Sequence, residues 1–400
     1  MYTFPIAYLN TNNGSGLLAF GEGNTFISNT DNSLKDLQAF LDKSKGLYIF
    51  GFVSYDLKNQ IEKLQSNNPD GLSFPDVCFW VPKYVVELKN EDFKFVQGEK
   101  CTESFEFLNY FLEEETDQNF HTNHFEFKPR IDKETYLKQV AKLKNHIQLG
   151  NIYEVNFCQE YYAENVELDY ALDAYFKLNS ITKAPFSTFF QMNEFTALCG
   201  SPERFLKKTG SKLISEPIKG TSKRGKTKEE DALLKQKLYE NPKERAENIM
   251  IVDLVRNDLS KIAKSDSVHV DELCGIYSFE TVHQMISTIS CEVDETIRFT
   301  EILKATFPMA SMTGVPKIRA MELIDEHENF KRGLYSGTIG YIKPNGDFDF
   351  NVVIRSLLYN REKKYLSCSV GSAITDLSVA EDEYEECLVK VKRIMDGMNE

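Results

Sequence analysis

The sequence predicts a mixed α/β chain of the α+β kind. Capped amphipathic helices recur among strand-like apolar runs, and three such runs follow one another between Tyr335 and Val370 with only short turns between them. Helices interleaved with a string of neighbouring strands point to helices packed against antiparallel sheet. The 400 residues, 42% hydrophobic and 27% charged, suffice for a sizeable core in one large or two medium domains. We place a boundary near residue 125, giving an N-terminal mixed part (1–125) and a main part (126–400). The polar stretch Leu112 to Arg130, with Glu113-Glu114-Glu115, joins them; a solvated helix end reads equally well there.

In the first part, Leu47 to Val53 is an aromatic-rich run suited to a buried strand. Ser54-Tyr55-Asp56-Leu57 then turns into a helical stretch reaching about Leu64. Phe79 to Leu88 is a second strand-like run, interrupted by Pro82. From Asp132 the signals sharpen. Asp132 caps a helix whose apolar positions Tyr136, Val140, Leu143 and Ile147 follow 4-3-4 spacing and which ends at Gly150. A strand, Ile152 to Tyr162, follows. Thr227 and Glu230 form a capping box for a helix to about Tyr239. Asn241-Pro242-Lys243-Glu244 opens another to about Asp258, with asparagine at N-cap, proline at N1 and glutamate at N3. Tyr335 to Ile342, Phe348 to Tyr359 and Tyr365 to Val370 read as a β-meander turned at Pro344-Asn345-Gly346. A last helix starts at the capping box Ser378 to Glu381 and carries Tyr384, Leu388, Val391 and Met395 on one face.

The bulk numbers exclude several classes. A net charge of −14 argues against nucleic acid or an anionic membrane surface as partner. No run approaches the roughly 18 apolar residues of a membrane span, and the first five residues lack a basic leader. The eight cysteines are scattered without a C-x-x-C pair, which favours reduced thiols in a cytoplasmic protein.

Chemistry gathers around Glu216-Pro217-Ile218-Lys219-Gly220-Thr221. Proline fixes the approach and glycine admits backbone conformations closed to other residues, so the frame aims one lysine at one place. An ordinary lysine is only about 0.04% free amine at pH 7, so a nucleophilic one needs a special environment. A solvated surface turn is the ordinary reading of this hexamer alone. Glu247 borders an apolar stripe on its helix, while Glu383, Glu386 and Lys390 share a face of the last helix. Carboxylates from two helices suit Mg²⁺, which takes few protein ligands; each alone also suits a solvated face. Arg355 lies in the apolar run Val352 to Leu358 and needs an anion, from a ligand or from a structural Asp or Glu. His283 sits beside Val282, a setting more often structural than catalytic, and the segments at Gly314 and Gly371 offer backbone N–H groups to an anion.

Taken together, these stretches resemble the chorismate-utilising enzymes. The matching pieces are Gly150-Asn151-Ile152-Tyr153-Glu154-Val155-Asn156, Ser201-Pro202-Glu203-Arg204-Phe205, Pro217 to Thr221, Arg245 to Asn248 with Asp253 to Asp258, Thr313 to Glu322, Tyr335 to Tyr341, Ile354-Arg355-Ser356, and Glu383 to Glu386 with Lys390. They span about 132 to 396, with a fainter match at Gly51 to Asp56. The resemblance implies a β-sandwich core flanked by helices, like that of anthranilate synthase component I, with residues 126–400 as the chorismate-binding catalytic domain. Lys219 is similar to the lysine of the P-I-K-G-T motif in component I of aminodeoxychorismate synthases, where anthranilate synthases usually carry alanine. The water-using relatives place a lysine at the position of Glu154, so its absence argues against them.

The resemblance further implies an enzyme that joins chorismate and ammonia to give 4-amino-4-deoxychorismate, for 4-aminobenzoate and folate synthesis. Lys219 and Glu203 are then catalytic, as nucleophile and acid, and Glu247, Glu383 and Glu386 hold Mg²⁺. Tyr335, Arg355, Gly371, Thr313, Gly314, Lys390 and His283 form the substrate-binding set. No glutaminase segment is recognisable, so the implied partner is a separate glutaminase subunit in a heterodimer. Three positions depart from the family pattern: Met309-Ala310 stands for Gly-Gly, Ala373 for a glycine, and Glu154 for the usual glutamine. The competing readings are anthranilate synthase component I and a non-catalytic chorismate-binding subunit.

Overall fold

The computed structural model describes residues 4–90, 92–116, 120–121 and 124–400. Met1–Thr3, in the stretch expected to lack a basic leader, and 117–119 with 122–123, in the expected linker, lie outside the described residues. Two large antiparallel sheets form a sandwich. The first runs from Gly314–Val315 through Glu154–Ala163, Tyr365–Ile374, Ser356–Asn360, Phe195–Ser201 and Phe186–Met192. It continues through Ile6–Asn10, Ser15–Phe20 and Tyr84–Lys89 to Asp92–Gln97. The second runs from Ile218–Lys223 through Val282–Glu292, Lys212–Glu216, Arg204–Thr209 and Phe348–Asn351. Its far half is Thr338–Ile342, Ile49–Val53, Val77–Trp80 and Thr25–Ser28. Strands from before residue 125 thus lie in both sheets beside strands from after it.

The main core fills the space between the sheets. Phe52 meets Phe190 edge-on at 5.3 Å and Trp80 meets Phe190 at 5.6 Å, contacts that bind one sheet to the other. A second core lies on the outer face of the first sheet under helices Thr102–Thr116, Ala171–Thr182 and Ala380–Asn399. A third, built on Tyr136, Val140 and Leu143, joins helix Lys133–Gln148 to Lys317–His327 and the adjoining strands. The α+β sandwich flanked by helices is therefore the fold.

The caps at Asp132, Thr227 and Asn241 are present: each side chain accepts from the backbone N–H of the first turn. Four expectations need correction. Phe79 to Leu88 is not one strand, because Pro82 parts Val77–Trp80 and Tyr84–Lys89 into different sheets. Phe348 to Tyr359 likewise divides into Phe348–Asn351 in the second sheet and Ser356–Asn360 in the first, so the meander is two hairpins. The last helix begins at Ala380, and Ser378 does not cap it; its Oγ accepts from Thr375 N and donates to the Ala373 carbonyl instead. The helical stretch after Ser54 ends at Ile61, earlier than the spacing suggests. Among the described residues no helix is long and apolar enough to cross a membrane, and all eight cysteines are free.

Candidate active site

The division of the run around Arg355 positions the site. Where the chain passes from one sheet to the other, Arg355 takes a left-handed backbone (φ 52°), as does Ser336 (φ 62°) in the turn after Tyr335. Such conformations cost non-glycine residues roughly 1–3 kcal/mol and persist where the surroundings dictate them. Beside this crossover opens a cleft of about 470 Å³. It brings together nine of the sequence candidates: Lys219, Glu203, Tyr335, Arg355, Gly371 and Lys390, with Glu247, Glu383 and Glu386.

Lys219 reaches the cleft from strand Ile218–Lys223 and is 9% exposed. Gly220 beside it has φ 94°, and a Cβ there would press on Glu244 and Met285, so the backbone requires glycine. Lys219 Nζ lies 2.8 Å from Glu154 Oε1. Burial pulls its pKa down, but Glu154 and then Glu247 outweigh that, and the net direction is up. In the free protein Lys219 is thus a held ammonium. Glu203, also buried, accepts from Ser311 Oγ at 2.6 Å. Burial raises its pKa to about 7, against the opposing pull of Ser311 and Lys219. A carboxyl that keeps its proton near neutrality has the chemistry to serve as a general acid.

Arg355 makes no ion pair or side-chain hydrogen bond among the described residues. Burial, reinforced by Arg393, lowers its pKa to about 10. Such a guanidinium is ready for a carboxylate from outside the protein. Across the cleft, helices Pro242–Ser260 and Ala380–Asn399 present the carboxylates. Burial raises Glu247 to about 8, and its Oε1 has no hydrogen-bond partner. Lys243 Nζ stands 2.8 Å from Glu383 and 3.7 Å from Glu247. Glu386 is half-exposed at the rim, 2.6 Å from Lys390 Nζ, which also donates to the Gly371 carbonyl at 3.3 Å. As placed, no three His, Cys, Asp or Glu side chains among the described residues converge closely enough to hold a metal ion. The donor chemistry nevertheless suits a hard cation, because Glu247 keeps a buried oxygen that no protein donor satisfies.

Three candidates lie off the cleft. Thr313 Oγ1 donates back to the Met309 and Ala310 carbonyls. Gly314 pairs with Val155, and a Cβ on it would meet the Glu154 carbonyl at 2.2 Å. His283 points away: its ring nitrogens meet Ser278 Oγ at 2.8 Å and Asp231 Oδ1 at 2.9 Å. Strand alternation explains this, since Val282 and Gln284 face the cleft and His283 takes the other side. Gln284 is the residue that sequence reasoning missed. It is 1% exposed and neither amide atom has a partner among the described residues, so both are free to meet a group that enters the cleft. Glu244, one turn before Glu247, also lines the cleft and was visible only as a capping residue.

Comparisons with known proteins bear on the family and the fold. The family model described as chorismate binding enzyme matches residues 5–396. Aminodeoxychorismate synthase from Arabidopsis thaliana, a chloroplastic protein, is 36% identical over 86% of this chain, which spans 39% of that protein's length. Aminodeoxychorismate synthase component 1 from Escherichia coli is 31% identical over 98% of this chain and 87% of its own. The crystal structure of anthranilate synthase component I from Streptococcus pneumoniae superposes with a TM-score of 0.78 at 26% identity, covering 98% of this chain and 91% of that one.

Proposed function

The chain belongs to the chorismate-binding enzyme family, and from that membership we propose that it converts chorismate and ammonia to 4-amino-4-deoxychorismate. The observation that carries the reading is Lys219, buried at the cleft opposite a carboxyl that holds its proton near neutrality. Arg355 and Tyr335 receive the enolpyruvyl carboxylate, with Gln284 lining the same cleft. Glu247, Glu383 and Glu386 would hold Mg²⁺, with Lys243 releasing Glu383. When bound, the ion neutralises the ring carboxylate and orients the substrate.

Lys219 attacks C2 as the free amine while Glu203 gives its proton to the departing 4-hydroxyl, which leaves as water. Ammonia then attacks C4 and the C2–N bond to Lys219 breaks. Two substitutions through a covalent intermediate replace one hard displacement. Ammonia comes from a separate glutaminase subunit, and the enzyme works in the cytoplasm with its thiols reduced.

The test is to incubate the chain with chorismate, Mg²⁺ and ammonium, with and without an aminodeoxychorismate lyase, alongside Lys219→Ala. We expect 4-aminobenzoate only with the lyase, and at least roughly a 10,000-fold loss in the variant. Anthranilate and pyruvate formed without a lyase would identify an anthranilate synthase instead. Chorismate binding without turnover would identify a binding subunit.

A further inference from the structure

A nucleophilic lysine held as an ammonium must lose a proton before it can react, and something must take it. Among the described residues only one carboxylate approaches Lys219 Nζ within 4 Å, that of Glu154 at 2.8 Å. Glu154 comes from strand Glu154–Ala163 of the opposite sheet and is fully buried. Among the described residues neither of its oxygens takes part in a hydrogen bond of regular geometry, so no backbone or hydroxyl donor occupies them. The other charged groups near the lysine are differently committed. Glu203 faces it from the turn before Arg204–Thr209 and is held by Ser311. Glu247, with Glu244 and Lys243 beside it, faces it from helix Pro242–Ser260. Glu386 faces it from the last helix and is paired with Lys390.

Resting on the reading above, we infer that Glu154 is a further catalytic residue, the base that takes the proton from Lys219 and later returns it. The Lys219 N–H bond breaks and an O–H bond forms on Glu154, leaving a neutral amine beside a neutral acid. The amine's lone pair becomes the bond to C2, and the electrons of the C4–O bond leave with the hydroxyl, protonated by Glu203. When ammonia adds at C4, the C2–N electrons return to Lys219, which recovers its proton from Glu154. The product ammonium gives its extra proton to Glu203. The cycle closes with chorismate and ammonia converted to product and water.

Glu154→Gln keeps the shape and removes the base. Its kcat with saturating ammonium should fall roughly 100- to 10,000-fold at neutral pH, the usual worth of a positioned base. The chorismate dissociation constant, read by ligand titration, should stay within about threefold. Up to about pH 7, where Glu203 keeps its proton, the residual rate should climb with pH as solvent strips Lys219, over a range where the parent rate has no such rise. Glu154→Asp retains a carboxylate, so it should recover much of the rate and lose the upward limb; it also serves should the glutamine chain not fold. A glutamine variant within about threefold of the parent kcat, with an unchanged pH profile, would reduce Glu154 to a structural counter-ion. If Lys219→Ala keeps its activity in the same assay, the nucleophile reading fails; if only Glu154→Gln does, this inference fails alone.

Discussion

Arg332 and Arg355 are both drawn out of bulk water, and the fold treats them in opposite ways. Arg332 is 2% exposed and completely engaged. It donates to both oxygens of Glu328, to the carbonyls of Met312 and Asn156 and to Ser336 Oγ, and its guanidinium lies 4.5 Å from the centroid of the Tyr55 ring. It thereby ties together segments that border the cleft. Arg355, which lines that cleft, has no side-chain partner among the described residues and a left-handed backbone. The contrast separates two uses of buried charge. A satisfied guanidinium builds structure, whereas an unsatisfied one in a cleft is held ready for an anion at some cost to stability.

One substitution applied at both places tests this. Arg332→Met leaves Glu328 as a buried carboxylate without its cation, and should cost about 3–5 kcal/mol in unfolding free energy, read from denaturant melts. Adding Glu328→Gln should return part of that loss, because the stranded charge goes with it. Arg355→Met should do the opposite: the free chain gains up to about 1 kcal/mol as an unpaired charge leaves, and chorismate binds more weakly by about 1.5–3 kcal/mol, or roughly 10- to 150-fold. The comparison breaks if both variants move stability in the same direction by similar amounts. Arg355→Lys sharpens it, since a point charge cannot reproduce the bidentate fork and should restore only part of the binding.

Much of this was legible in the sequence where local chemistry decides the outcome. The caps at Asp132, Thr227 and Asn241 and the long strand Glu154–Ala163 follow from side-chain oxygens and apolar runs. Nine of the twelve named site residues meet in one cleft. The failures have a common cause. A continuous apolar run shows that both faces are buried but not in which sheet, so the crossover at Arg355 was read as uninterrupted strand. Likewise, a strand's phase depends on which neighbour it pairs with, so His283 and Gln284 could not be assigned to inner and outer faces from their order alone. Ser378 shows the limit of cap motifs: its hydroxyl had a closer local partner in the turn at Thr375.

The finest test of the cleft concerns the proton on Glu203. Burial raises this carboxyl to about 7, while the Ser311 hydroxyl, by donating to the ionised form, pulls it down. If Glu203 is the acid, the rate requires its protonated form, so activity should fall about tenfold per pH unit above roughly 7. Ser311→Ala removes the donor that favours the carboxylate, so the descending limb should move upward, by roughly one unit. The variant should therefore lose little at pH 7 and outperform the parent near pH 8, at saturating chorismate and a fixed concentration of free ammonia. A limb that stays in place would assign the ionisation to another group. A limb that moves down would mean that Ser311 favours the protonated acid, in conflict with its 2.6 Å donation to the carboxylate.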